Sequence, residues 1–380
     1  MTIALPSQRI QWIIIAATFL VVHLACYLIY KDRPLDDAQH YLDAAILLLE
    51  EGKIDEHFHV LYFIPIALLS ICTWLFSEPV VGFVMFQIGV SAVAVVALYR
   101  TTEAISTQTA AFFSALIFVL WIDIVRWNVL VMTDSLFGSI TIFVLNRFLM
   151  RTHLRRYALE LMLMLIIGIF TRPVGILLII AVGASAIVGY AKRHSVSRSV
   201  ITIFVLALGG CTIILAYYLS LSWDFTDQYF RGNVITYADT YTGDKSWIHF
   251  DPHYTDTSNQ SPILKTLRFI VQRPIHVILV SLLKFLYLVS GIRPYYSASH
   301  NLFTLIWMTV VYTGVINGLK VMSRSAFKTP LLALIIGNCL LVTMTTVDWD
   351  NRFYIPMEGA VVILSAVGLS NVVSKRRQAG

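Results

Sequence analysis

The chain has 380 residues, of which 58% are hydrophobic and only 13% charged, with a formal net charge of +6. That charged share is about half the usual value for a soluble domain, and surface-to-volume scaling leaves no soluble fold of this size able to hide so much apolar surface. An ordinary cytosolic enzyme, a nucleic-acid-binding module and a disordered protein are therefore excluded. The composition is that of an all-α polytopic membrane protein, read as a single integral membrane domain over 1–380. At about 20 apolar residues per span, about ten spans fit, with loops and surface helices besides but no large separate soluble domain.

Taken in chain order, Ile10 to Tyr30 is a first apolar run, too long for a signal-peptide core and without a small-residue cleavage site, and is read as a retained span. The segment 31–59 is a first extracytoplasmic loop. Within it Leu42, Ala45, Ile46 and Leu49 share one face at helical spacing, and Asp36, His40 and Asp43 another. This predicts an amphipathic helix on the membrane surface that stops at Gly52. The run 60–76, broken by Pro65, is expected to be interfacial or re-entrant on the outer side. Further apolar runs occupy 110–122, 135–150, 157–170, 174–190 and 200–219. A long extracytoplasmic loop, 220–274, follows, polar through 262. The run 275–290, interrupted by Lys284, again reads as interfacial or re-entrant. Spans at 302–319, 330–346 and 355–371 complete the chain.

Basic clusters mark the cytoplasmic side: Arg9; Arg100; Arg151, Arg155 and Arg156; Lys192, Arg193 and Arg198; Lys320, Arg324 and Lys328; Lys375, Arg376 and Arg377. On this map every acidic residue except Glu103 and Glu160 falls outside, so chemistry or binding is expected at the outer face. The four cysteines, Cys26, Cys72, Cys211 and Cys339, lie in apolar runs without a CxxC pair and read as packing residues. No internal repeat or low-complexity segment is visible.

Four outer motifs carry candidate chemistry. Asp36 reads as an N-cap, with Gln39 three residues on completing a capping box. Asp37 then stands in the first turn, one turn before Tyr41, either complementing the helix dipole or acting as a functional carboxylate. In Thr133-Asp134-Ser135-Leu136-Phe137, Asp134 opens a span, as an N-cap or as a rigidly mounted polar group. Asp123 and Arg126, across the same turn, are expected to be interfacial. Arg172, in Thr171-Arg172-Pro173, either snorkels or clamps a phosphate, which suits its planar, always-charged guanidinium. Arg352, in Asp348-Trp349-Asp350-Asn351-Arg352-Phe353, is either an anchor in an aromatic belt or a second phosphate ligand. Between Trp223 and Tyr254 the long loop carries nine aromatics and several Asp, a composition that suits sugars as well as an interface.

Together and in this order, these motifs resemble the lipid-linked-sugar glycosyltransferases of the GT-C superfold, with a pattern like that of the protein O-mannosyltransferase and aminoarabinose–lipid A transferase families. The resemblance runs over about 10–370. It rests on Asp37, Tyr41 and Ala45 in a surface helix after the first span, and on Thr133, Asp134, Leu136 and Phe137 opening a later one. It continues with Arg172, Pro173 and Gly175 between two spans, and ends with Arg352, Phe353 and Pro356. The chain departs from the pattern where His59-Val60-Leu61-Tyr62 replaces the paired-proline stretch of those families.

The resemblance implies a GT-C helical bundle and an inverting membrane glycosyltransferase. Such an enzyme moves a sugar from a polyprenyl-phosphate donor to a hydroxyl acceptor on a glycan, lipid or protein. It implies Asp37 as general base, Asp134 in the catalytic group, Arg172 and Arg352 on the donor phosphate with His59 in support, and Tyr41, Asp36 and His57 at the substrate. No metal or cofactor is called for, because the carboxylates are dispersed and no His/Cys cluster exists. The expected partners are the lipid-linked sugar donor, the acceptor and membrane lipids, with no nucleic acid. A bacterial inner membrane, with the site facing the periplasm or exterior, is the expected location. The readings weighed against this one are a secondary transporter, an O-antigen ligase or polymerase, and a non-enzymatic membrane scaffold. A transporter would place ionisable groups near the midplane and often within repeated halves.

Overall fold

The computed structural model describes residues 6–31, 36–54, 60–150, 154–191, 232, 234–235, 262–322, 325–348 and 350–379. These residues form helices almost throughout. Apart from a single parallel bridge between Ile235 and Val347, no β-structure occurs among them. The order is α1 (Gln8–Tyr30), α2 (Asp36–Glu51), α3 (Phe63–Leu75), α4 (Pro79–Ile105), α5 (Gln108–Leu120), α6 (Ile122–Val125), α7 (Thr133–Leu149), α8 (Leu154–Thr171), α9 (Ile176–Ala191), α10 (Pro262–Gln272), α11 (Pro274–Ser290), α12 (Ala298–Val321), α13 (Ser325–Met344) and α14 (Ile355–Ala379).

Among the described residues, five helical stretches are long and apolar enough to cross a membrane: Gln8–Tyr30, Pro79–Ile105, Ala298–Val321, Phe327–Met344 and Arg352–Lys375. A sixth arises if α5 and the segment Ile122–Val129, bent by 59° at Trp121, count as one broken span. Sequence predicts about ten. Several of the predicted spans are helices shorter than the roughly 20 residues a straight crossing takes, as at Leu159–Thr171 and Pro173–Val188. The run 200–219 lies outside the described residues. The runs 60–76 and 275–290 form α3 and α11, of 13 and 17 residues.

The chain divides into two compact units, Met1–Gly189 with Val311–Ile335 and Ile355–Gly380, and Tyr190–Val310 with Ile336–Tyr354. In the first, α7 and α14 are apolar around most of their circumference and therefore buried, as all-round apolar helices must be. The most apolar window of α14 is 89% buried. Helices α5 and α7 pack against α14, α4 packs against α5 and α7, and α1 lies against α5. Glycines let the backbones meet closely where residues of α12 cross α14. A Cβ at Gly368 would strike the Gly314 carbonyl oxygen, and one at Gly318 the Leu364 carbonyl oxygen. By contrast α1 leaves Leu20, Val21, Leu24, Leu28 and Ile29 exposed, a face suited to lipid.

In the second unit, Phe269, Val280, Val234 and Ile235 form a small apolar core flanked by Val277, Leu283 and Tyr287. Helix α11 ends at Gly291, which takes the left-handed conformation (φ +67°) that favours glycine.

Candidate active site

Helix α7 begins at Thr133, preceded by Met132 in extended backbone with no side-chain cap. The N-cap reading of Asp134 is thereby corrected. Asp134 sits in the first turn, 1% exposed, and its carboxylate forms a buried ion pair with the guanidinium of Arg172. A charge-assisted bond from a guanidinium is stronger than one from a backbone N–H, so the acid is drawn to the arginine. The snorkelling reading of Arg172 falls with it, because the side chain turns inward.

The turn that delivers Arg172 is built by its own sequence. The Thr171 hydroxyl donates to the Ile167 carbonyl at 2.6 Å. The Arg172 N–H closes on the Gly168 carbonyl at 3.1 Å, and the Arg172 carbonyl accepts from Gly175 N–H at 2.9 Å. Pro173 opens a short 3₁₀ turn, Pro173–Gly175, where its missing N–H costs nothing. A Cβ at Gly175 would come within 2.5 Å of the Gly168 carbonyl oxygen, so the Arg-Pro-x-Gly spacing is a steric requirement of this turn.

The segment before Asp134 is held by polar side chains inside the apolar helices. His23 Nδ1 faces the Phe19 carbonyl at 2.8 Å. Nδ1 therefore carries the proton, and Nε2 accepts from Asn128 Nδ2 at 2.9 Å. Asn128 Nδ2 also donates to Ser91 Oγ at 3.1 Å, and its carbonyl oxygen accepts from the Ser135 hydroxyl. Gln87 Nε2 donates to the Leu130 carbonyl at 2.7 Å. Helices α1, α4 and α7 are thus tied to one turn. Arg126, expected at the interface, is 4% exposed. Its guanidinium lies 5.8 Å from the Tyr30 ring centroid and 5.6 Å from that of Trp127, and its Nε donates to the Asp123 carbonyl at 3.2 Å. Stacking of this kind suits the weakly hydrated guanidinium.

Asp37 is half-buried in the first turn of α2. Asp36 opens that helix, but its side chain, like His57 and His59, lies outside the described residues. Gln39 Nε2 donates to Asp43 Oδ1 at 2.8 Å; the predicted capping box depends on the Asp36 side chain and lies outside the described residues. The predicted stop holds at Gly52, whose φ is +66°. The buried face of α2 is rotated from the predicted one: Tyr41, Ala44 and Ala45 are buried, whereas Leu49 is exposed. The cause is α3, against which α2 packs. Tyr41 meets Tyr62 there, ring centroids 5.6 Å apart. Helix α3 in turn packs against α8, which ends at the turn that bears Arg172.

Arg352 belongs to the second unit. Its Nε lies 3.1 Å from the buried Asp348 carboxylate, and its guanidinium is 5.6 Å from the Phe353 ring centroid. The second unit also holds buried groups that the sequence motifs do not include. Arg293 is fully buried and donates to the carbonyls of Tyr287, Ile292 and Asp348, each at 2.9 Å. Lys284, also fully buried, donates to the Thr345 carbonyl at 2.6 Å. Tyr296 donates its hydroxyl to Asp350 at 2.5 Å, and burial pushes the Tyr295 phenol well up, with Arg293 opposing. Asn351 adopts a left-handed φ of +64° and donates Nδ2 to the Gly291 carbonyl at 2.9 Å. The signal that marks Lys284 and Arg293 is a cation at or inside the end of an apolar run, which requires a partner. Among the described residues no group of His, Cys, Asp and Glu is placed to hold a metal ion.

No protein-family model matches the chain, and no curated protein matches it in sequence. Its likeness is to solved structures of the oligosaccharyltransferase of Archaeoglobus fulgidus. The structure tethered with an acceptor peptide containing the NVT sequon superposes with a TM-score of 0.51 at 11% identity, covering 98% of this chain and 51% of that one. The chain has a GT-C fold. A second structure of that enzyme, in complex with an inhibitory peptide and a dolichol-phosphate, gives a TM-score of 0.49 at 13% identity and 95% coverage of this chain. The chain spans about half the length of these structures, 51% of each.

Within this GT-C fold, the first unit brings together two of the motif residues, Asp134 and Arg172, at adjoining helix ends. Arg172 presents a guanidinium, a rigid fork of N–H donors, beside the fixed Asp134 carboxylate. The pair can hold an anionic group against a fixed counter-charge and fix the orientation of the arginine.

Proposed function

We propose that the protein is an inverting glycosyltransferase that moves a sugar from a polyprenyl-phosphate donor to a hydroxyl acceptor at the outer face of the membrane. The observation that carries this reading is the buried Asp134–Arg172 pair, which joins two motif residues read separately from sequence. The GT-C fold supports it.

The leaving polyprenyl phosphate is stable as an anion, so the reaction needs no general acid. The protein's tasks are to orient the acceptor, accept its proton and stabilise the phosphate charge. Asp37 is the base in this scheme. A carboxylate of reference pKa about 3.9 is weak toward a ground-state hydroxyl, but it suffices late in the reaction, when bonding to the anomeric carbon has acidified that hydroxyl. Arg172, oriented by Asp134, takes the donor phosphate. Arg352 is the second phosphate ligand, and His57, His59, Asp36 and Tyr41 complete the proposed substrate surface. The site faces the periplasm or exterior of a bacterial inner membrane, opposite the basic clusters. The roles of these residues rest on the resemblance and on charge placement.

The test is release of free polyprenyl phosphate from a panel of radiolabelled polyprenyl-phosphate sugars by the full chain in nanodiscs, with a lipid extract supplying acceptors. Wild type should release it and Asp37→Asn should not, while both retain the donor. Equal release by the two would remove Asp37 from the base role, and release by neither would overturn the donor class.

A further inference from the structure

The strongest unassigned feature of the first unit is a crevice between α4, α7 and α8, at the opposite end of α7 from Asp134. It encloses about 540 Å³, within the range of small-ligand sites. Val96, Phe143 and Met164 give it apolar walls, and Arg100 and Arg147 stand in its lining. Asn146 pins the α4 and α7 walls together, donating to Thr101 Oγ1 at 2.7 Å and to the Ala97 carbonyl at 3.2 Å. A second crevice of about 580 Å³ shares Val96 and Arg100 and adds Arg9.

The charges do not cancel. Arg147 has Glu160 at 3.4 Å, both about half exposed. Arg100 is exposed and makes no ion pair among the described residues. Counting both crevices, Arg9, Arg100 and Arg147 against Glu103, which lines the second crevice with Arg9 and Arg100, and Glu160 leave an excess of one positive charge beside an apolar cleft. Val93, in the cleft lining, is exposed, as are Leu159 and Leu163 on α8. The complement is an amphiphile with a single negative charge and long apolar tails.

From this we infer that the crevice binds one anionic diacyl phospholipid, its phosphodiester between Arg100 and Arg147 and its acyl chains along Val96, Phe143 and Met164. Arg100, Arg147 and Arg9 lie toward the basic clusters that sequence assigns to the cytoplasmic side, so the occupant comes from the cytoplasmic leaflet. Residues 134 and 147 are separated by about 20 Å along the helix, at about 1.5 Å per residue. The lipid is therefore distinct from the proposed donor, and the inference does not rest on the glycosyl-transfer reading.

Native mass spectrometry of the full chain in detergent tests it. Titration with phosphatidylglycerol and with phosphatidylcholine of identical acyl chains should show one retained phosphatidylglycerol at about tenfold lower lipid concentration. The Arg100→Ala/Arg147→Ala variant should lose that preference while still binding undecaprenyl phosphate. Val93→Trp, an exposed change at the mouth, should lose the preference as well and serves as the test if the double variant does not fold. Equal uptake of the two phospholipids overturns the inference, and so does a preference that survives Val93→Trp or the double change. Displacement of phosphatidylglycerol by inorganic phosphate overturns it in favour of a bare anion site, and displacement by undecaprenyl phosphate in favour of a donor-lipid site.

Discussion

Asp134 and Arg172 face each other across the ends of two consecutive helices, the carboxylate 1% and the arginine side chain 10% exposed. Removing one member strands the other as an uncompensated buried charge. Arg172→Ala and Asp134→Ala should each cost about 3–5 kcal/mol of stability, and the double substitution much less than the sum. A double-mutant cycle on thermal unfolding in detergent reads this coupling. Additive losses would mean the two residues do not act as a pair.

The polar ties in front of that pair predict a second effect. Asn128→Ala removes one side chain that serves His23, Ser91 and Ser135 at once. Its cost should be about 1–3 kcal/mol, the penalty of buried groups left unsatisfied. Ser91→Ala, which takes away only a recipient of one bond, should cost less. Thermal melts of the two variants give the order, and a larger loss for Ser91→Ala would contradict the network.

Gly291 closes α11 with φ +67°, and an added Cβ would come within 2.9 Å of Thr304 Cγ2. Gly291→Ala should destabilise the second unit by about 1–2 kcal/mol from the left-handed conformation alone. Gly291→Ala/Thr304→Ser, which removes the crowding methyl, should recover part of the loss. The recovery in melting temperature measures the steric share.

In the first unit, Gly368→Ala places a methyl against the Gly314 carbonyl oxygen. Backbone cannot give way as a side-chain tip can, so α12 and α14 must separate. The expected result is a sharp fall in the yield of monodisperse protein and new sites of limited proteolysis. Gly89→Ala, where nothing lies within 4 Å, is the matched control and should leave both unchanged.

Local sequence made several features readable. The stop of α2 at Gly52 and the Arg172-Pro173-Gly175 step both follow from steric rules that act over a few residues. Pairing over distance was not readable. Asp134 looked like a cap because a first-turn acid is a common cap, and nothing nearby in sequence announces Arg172. Arg126 looked interfacial because spacing does not show that Tyr30 and Trp127 receive its guanidinium. The apolar face of α2 was displaced because α3, rather than lipid, selects Tyr41, Ala44 and Ala45 for burial. Lys284 shows in sequence only as an interruption of an apolar run and Arg293 not at all, because their partners are backbone carbonyls, and every residue has one.

The Asp134–Arg172 contact also bears on how the chain is made. Both residues belong to one hairpin of neighbouring helices, Thr133–Leu149 and Leu154–Thr171. Their opposite charges can meet as soon as that hairpin has left the ribosome, before any later helix exists. The translocation machinery then handles one compensated pair at that end of the hairpin rather than two lone ions, each of which is costly in hydrocarbon. A chain carrying only one of the two would meet that cost during synthesis, before folding stability comes into play.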